Sequence, residues 1–198
     1  MTAFATLRNL VRKPEAADRC DMCGTALLQR HQHLIDPSSR RLFCTCDACA
    51  TLFYGTGETK LKRVPRGARR LEDFHLPDGQ WDSLLIPIGL AFFLESSVDQ
   101  RVRAFYPSPG GATESLLSLE AWIEVVADNP MLADMNADVE ALLVNRLDGC
   151  AEYYLAPIDK CYELVGKIRR NWHGLSGGEE MWSKVREFFA ELKESAVA

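Results

Sequence analysis

Long apolar runs are missing from this chain of 198 residues. None approaches the roughly 18–20 residues needed to cross a bilayer, and the longest, residues 84–94, is broken by Pro87 and Gly89. The first residues carry no secretory-signal pattern, so a cytoplasmic protein with reduced thiols is the expectation. Residues 1–13, with Arg8, Arg12 and Lys13 among Phe4, Leu7 and Val11, read as a short amphipathic helix ending before Pro14. Excess positive charge is lacking as well: the formal net charge is −5, which opposes a whole-protein attraction to nucleic acid.

Catalytic groupings are equally scarce. Cys150 has no histidine near it in sequence and would need His75 or His173 brought to it by the fold to act as a nucleophile. Glu179 and Glu180 are adjacent at a helix start, where they suit the helix dipole rather than a shared proton. Gly55-Thr56-Gly57 is only a fragment of a dinucleotide loop and reads as a flexible exit from the segment before it. No enzyme is implied.

Cysteine is concentrated where these features are thin. Of the seven cysteines, five lie between residues 20 and 49. Cys20-Asp21-Met22-Cys23 and Cys46-Asp47-Ala48-Cys49 are two C-x-x-C hooks in nearly the same letters, separated by residues 24–45. A hook places two thiolates on one tight turn, and two hooks complete the tetrahedron that zinc prefers with sulfur. The separation slightly exceeds the guide spacing of about 15–20 residues and leaves room for a ribbon hairpin. Buried structural cysteines have no reason to cluster at this spacing. Cys44 offers a fifth sulfur as an alternate ligand, and His31 and His33 are further candidates, expected at the hairpin tip near the turn at Asp36-Pro37-Ser38-Ser39. A rubredoxin-type iron site uses the same hooks, and an iron–sulfur cluster is open to five thiols. Gly24 after the first hook suits either metal, whereas Ala50 after the second stands where such iron sites usually show glycine, which favours zinc.

A local basic run, Lys60, Lys62, Arg63, Arg66, Arg69 and Arg70, follows the second hook. Beside a zinc ribbon it offers contact with phosphates or an acidic partner. With Val64, Leu71 and Phe74 it equally reads as an edge strand or crossing linker, and it contains no aromatic residue to stack a base.

Past residue 75 the pattern is mixed α and β. Residues 90–94 and 102–106 read as one hairpin, and residues 139–147 and 150–155, joined at Asp148-Gly149, as another, giving four strands in one sheet. Leu119, Trp122, Ile123 and Val126 repeat at helical spacing after Ser118 and stop at Asn129-Pro130. Pro157 opens a second helix with Ile158, Cys161, Tyr162, Val165 and Ile168 inward and Gly174 at its end. Ser176-Gly177-Gly178-Glu179 forms a capping box ahead of a third, whose buried face is Met181, Trp182, Val185, Phe188, Phe189 and Leu192. The loop from Pro107 to Ser115 offers backbone amides at Gly110 and Gly111 and the Thr113 hydroxyl to an anion or another chain, or is a proline-shaped connector. Arg146 and Asp159 are expected beside the same groove. The fold class is α+β: an N-terminal segment 1–17, a zinc-ribbon or rubredoxin-like metal module 18–58, a basic linker or edge strand 59–75, and a body 76–198 of antiparallel sheet with about three helices.

Several strings carry a resemblance. Cys20-Asp21-Met22-Cys23-Gly24, Ile86-Pro87-Ile88-Gly89-Leu90-Ala91-Phe92-Phe93, the run from Phe105 to Ser115, Leu142-Leu143-Val144-Asn145-Arg146 and Gly174-Leu175-Ser176-Gly177-Gly178 resemble an uncharacterised bacterial family. Its genes tend to accompany those of high-affinity uptake nickel–iron hydrogenases. The resemblance implies an accessory to hydrogenase assembly or electron flow, with a hydrogenase subunit or maturation factor as partner. A zinc site would rigidify a docking surface, an iron site would make an electron carrier, and a nucleic-acid-binding ribbon is a third possibility.

Overall fold

Asp36 folds the ribbon back on itself, accepting hydrogen bonds from the Ser38 amide (2.9 Å) and from the Ser38 and Ser39 hydroxyls (2.6 and 2.8 Å). Those donors hold its carboxyl down at about 2. Across this turn β1 (Gln32–Asp36) pairs antiparallel with β2 (Arg41–Thr45), and β3 (Lys62–Arg63) joins the free edge of β1. A short helix, α1 (Asp47–Phe53), follows β2. The protein is described by a computed structural model over residues 18–54, 60–116, 119–174 and 177–196. The expected N-terminal helix, the Gly55-Thr56-Gly57 exit, Ser118 and Ser176 lie outside those residues.

The body is built on a six-stranded antiparallel sheet in the order β4-β9-β8-β5-β6-β7. Its strands are β4 (Arg69–Arg70), β5 (Leu90–Ser96), β6 (Arg101–Ser108), β7 (Gly111–Ser115), β8 (Glu140–Asn145) and β9 (Glu152–Pro157). Both expected hairpins form, with Phe92 opposite Phe105 and Leu143 opposite Tyr154. Asp148 and Gly149 take φ of 51° and 77° in the second turn, the left-handed region that this dipeptide accepts. The sheet has two strands more than the four expected. The basic run supplies β4, and the second half of the Pro107–Ser115 loop is β7, so that loop is a hairpin rather than a connector.

The central strands are apolar without alternation because both faces are covered. Leu90, Phe92, Leu143 and Tyr154 face α4 (Ile158–Asn171) and α5 (Gly178–Ser195). Ala91, Phe93, Leu142 and Val144 face α2 (Asp78–Ser83) and α3 (Leu119–Asp128), where Phe93 stacks on Trp122 with ring centroids 5.1 Å apart. The expectation of three body helices therefore omits α2, and α1 in the ribbon is a fifth. Helix α4 ends at Asn171, short of Gly174. The N-cap of α5 is Gly177, without a side-chain bond, and Glu179 turns instead to Arg186. Ile35 of β1, Val64 and the partly buried Leu42 join the core on the α4 and α5 side, which seats the ribbon against the body.

Candidate metal centre

Each hook is shaped by its own backbone. In the first, the Cys20 amide donates to Thr25 O and the Gly24 amide to Cys20 O, both at 2.8 Å, and Gly24 takes φ 74° to close the turn. The second hook is the start of α1: Cys46 is its N-cap, and its Sγ accepts from the Cys49 amide at 3.5 Å. Helix starts favour negative charge, so this position suits a thiolate.

The ribbon hairpin brings the hooks together, and Asp21 fastens them. Its amide donates to Cys44 O (2.8 Å) and its carboxylate accepts from the Cys44 amide (2.7 Å). Gln32 Nε2 donates to Asp47 Oδ1 at 2.9 Å and ties α1 back to β1. As a result the ligand atoms of Cys20, Cys23, Cys46 and Cys49 all lie within 4.8 Å of one another. Cys23 and Cys46 Sγ are 3.8 Å apart. Four sulfurs at about 2.3 Å from a central zinc stand about 3.8 Å apart, so this pair already spans a tetrahedral edge.

The thiols are electrostatically uneven. Burial acts to raise the Cys20 thiol, but the amides of Cys46, Cys23 and Met22 outweigh it and bring it down to about 6. Burial and the three neighbouring thiols push Cys49 up to about 12. As four thiolates this close they would need a cation among them, and a divalent ion would supply that compensation.

Cys44 and the histidines are placed differently from expectation. The hairpin tip is at residues 37–40, whereas His33 is opposite Cys44 in the ladder and His31 lies just before β1. Both rings are therefore at the base of the ribbon, beside the hooks. Cys44 groups with His31 and His33, not with the four hook cysteines. Burial, then the charges of Asp21, Asp18 and Asp159, raise its thiol. Asp159, at the first turn of α4, reaches this group through His33 Nδ1 at 2.7 Å.

Most of the other candidate residues are engaged within the fold. Lys62 Nζ meets the buried Asp138 at 2.6 Å, Arg63 donates to Gln32 at 3.1 Å, and Arg66 stands 3.5 Å from Asp47. Arg69 and Arg70 form the edge strand β4, and Lys60 is exposed. At the β6–β7 turn, Thr113 donates to Ser108 Oγ (2.9 Å), which accepts from the Gly110 amide (3.2 Å) and donates to Gly111 O (3.1 Å). This turn borders an apolar cleft of about 350 Å³ walled by Leu90, Tyr106, Trp172 and Trp182. Arg146 is elsewhere, donating to Leu76 O, paired with Asp78 and lying over the Trp81 ring. The shared groove expected for Arg146, Asp159 and this loop is not formed.

Fold and site define a class: an α+β protein in which a four-cysteine, zinc-ribbon-like module is seated on a sheet covered by helices on both faces. The chain belongs to the family of unknown function DUF5947, which it matches over residues 19–196. No curated protein and no solved structure matches it.

Proposed function

We propose that the protein is a metal-binding accessory factor in which the four hook cysteines hold one zinc ion and the ribbon docks on a protein partner. The observation that carries this reading is the convergence of four sulfurs from two separate hooks to within 4.8 Å. A zinc ion closed by four thiolates has no free position for substrate, so its role is to rigidify. Docking is supported by large apolar side chains left in water on the ribbon: Leu28 is 81% exposed, Leu52 64% and Tyr54 57%. The pairing of Lys62, Arg63 and Arg66 within the fold weighs against a phosphate-binding role for the basic run. For the partner, the resemblance of the sequence points to a nickel–iron hydrogenase subunit or one of its maturation factors.

Elemental analysis with an absorption spectrum, on protein purified without oxygen or added metal, tests the site. A colourless protein whose four-thiolate centre holds one zinc is expected. Iron with thiolate charge-transfer bands would replace this reading with that of a one-electron carrier for the same hydrogenase setting. Cys23→Ser and Cys46→Ser are each expected to lose that ion, and full metal retention in both variants would sink the ligand assignment.

A further inference from the structure

The base of the ribbon carries a second set of metal-binding side chains. Antiparallel pairing sets His33 directly opposite Cys44, and His31 stands two residues before His33, on the same face of the ladder. One nitrogen of each ring and Cys44 Sγ lie within 4.8 Å of one another. The rings meet edge to face, with centroids 4.7 Å apart. Each Nδ1 faces an acceptor: Leu28 O is 2.9 Å from that of His31, and Asp159 Oδ2 is 2.7 Å from that of His33. A carbonyl and a carboxylate only accept, so the proton of each neutral ring is on Nδ1 and the lone pair is on Nε2. His31 Nε2 is buried and, among the described residues, has no hydrogen-bond partner. A lone pair withdrawn from water in this way costs free energy unless something meets it.

We propose that His31, His33 and Cys44 form a second metal site, distinct from the four-cysteine centre, for a divalent ion of zinc type. Imidazole with thiolate is the donor set that such borderline-soft ions favour over calcium or magnesium. Asp159 is a positioning residue: it fixes the His33 ring and tautomer through the hydrogen bond that metal-bound histidines usually make. Because Asp159 belongs to α4, an ion held here clamps the ribbon to the body. Among the described residues three protein ligands converge, so the fourth position is left to water or an exchangeable small ligand, unlike the closed set of four thiolates. The chain then carries one closed and one open site, with Cys44 near the end of β2 two residues before Cys46 of the four-cysteine set.

Titration of the full-length, metal-stripped chain with Co²⁺ and then Zn²⁺, followed by elemental count and absorption, tests this. Wild type is expected to take two ions, and the His31→Ala/His33→Ala and Cys44→Ser variants one each. The retained ion in each variant is expected to show the unchanged four-thiolate cobalt spectrum, which also reports that the ribbon is folded. Asp159→Ala is expected to weaken the second ion by about 10–100-fold and leave the first unaffected. A wild type that takes one ion, a histidine variant that still takes two, a Cys44→Ser variant that keeps both, or loss of both ions from either variant would overturn the separate site.

Discussion

At Gly89 the chain has no room for a side chain. A Cβ there would stand 2.7 Å from Arg146 O and 2.9 Å from Arg146 C, and both are backbone atoms that cannot swing aside. The approach is this close because the Arg146 amide donates to Gly89 O at 2.6 Å, locking the start of β5 to the end of β8. Gly89→Ala is therefore expected to destabilise the protein by about 1–3 kcal/mol, the usual cost of forcing atoms into packed backbone, read as a lower urea midpoint with an unchanged slope. Nothing in the sequence marks this glycine except its place between Pro87 and an apolar run. The hook cysteines are the opposite case, since their spacing alone states the chemistry. His31 and His33 fall between these extremes. Their residue types were visible, but their position depends on the register of the ladder. Counting back from the Asp36 turn puts His33 opposite Cys44, and that count was the signal available.

Among the elements, the hairpin with a strong turn dipeptide was legible, the basic run reads as an edge strand or a crossing linker, and β7 does not read as a strand. Asp148-Gly149 names its own turn, whereas β4 has only two residues and β7 reads Gly-Ala-Thr-Glu-Ser, too polar to announce a strand. Helix α4 was legible from its buried stripe, and its outer face carries a testable charge network. Glu163 lies 2.7 Å from Lys160 Nζ and 3.3 Å from Lys167 Nζ, while Lys167 is 3.6 Å from Glu191 of α5. Burial acts to raise the Glu163 carboxyl, but the two ammonium groups outweigh it and hold it below the usual glutamate value. A carboxyl depressed on folding stabilises the protein above its unfolded pKa of about 4.3, and that contribution fades as pH falls through the folded value. The pair is partly exposed, so the effect is discounted to about 0.5–1 kcal/mol. Glu163→Gln is expected to cost this much in urea unfolding between pH 5.5 and 7, and the gap to wild type should close below about pH 4. A gap that persists unchanged at pH 3 would show that packing, not charge, is lost.

For the whole molecule, the question is how far the ribbon and the body stand or fall together. All four tryptophans, Trp81, Trp122, Trp172 and Trp182, are in the body, and the ribbon has none, so intrinsic fluorescence reports on one part alone. The body has its own core on both faces of the sheet, to which the ribbon adds Ile35 and the partly buried Leu42. The hooks bury little beyond Cys20, Cys49 and Ala50, and metal coordination supplies most of the folding free energy in modules of this size. The pair of hooks was legible from the concentration of cysteine before residue 50. The contact of Ile35 with the body was not, because an apolar strand residue does not disclose which surface it will meet. Removing metal with a strong chelator under reducing conditions is accordingly expected to expose the amides of β1 and β2 to rapid hydrogen exchange. Tryptophan emission should keep its folded maximum, with Tm lowered by a few degrees as the support of Ile35 and of the Lys62–Asp138 pair is lost. An emission maximum that moves on chelation to that of the urea-unfolded chain would instead make the metal the keystone of the entire fold, with the body unable to close over the gap left by Ile35.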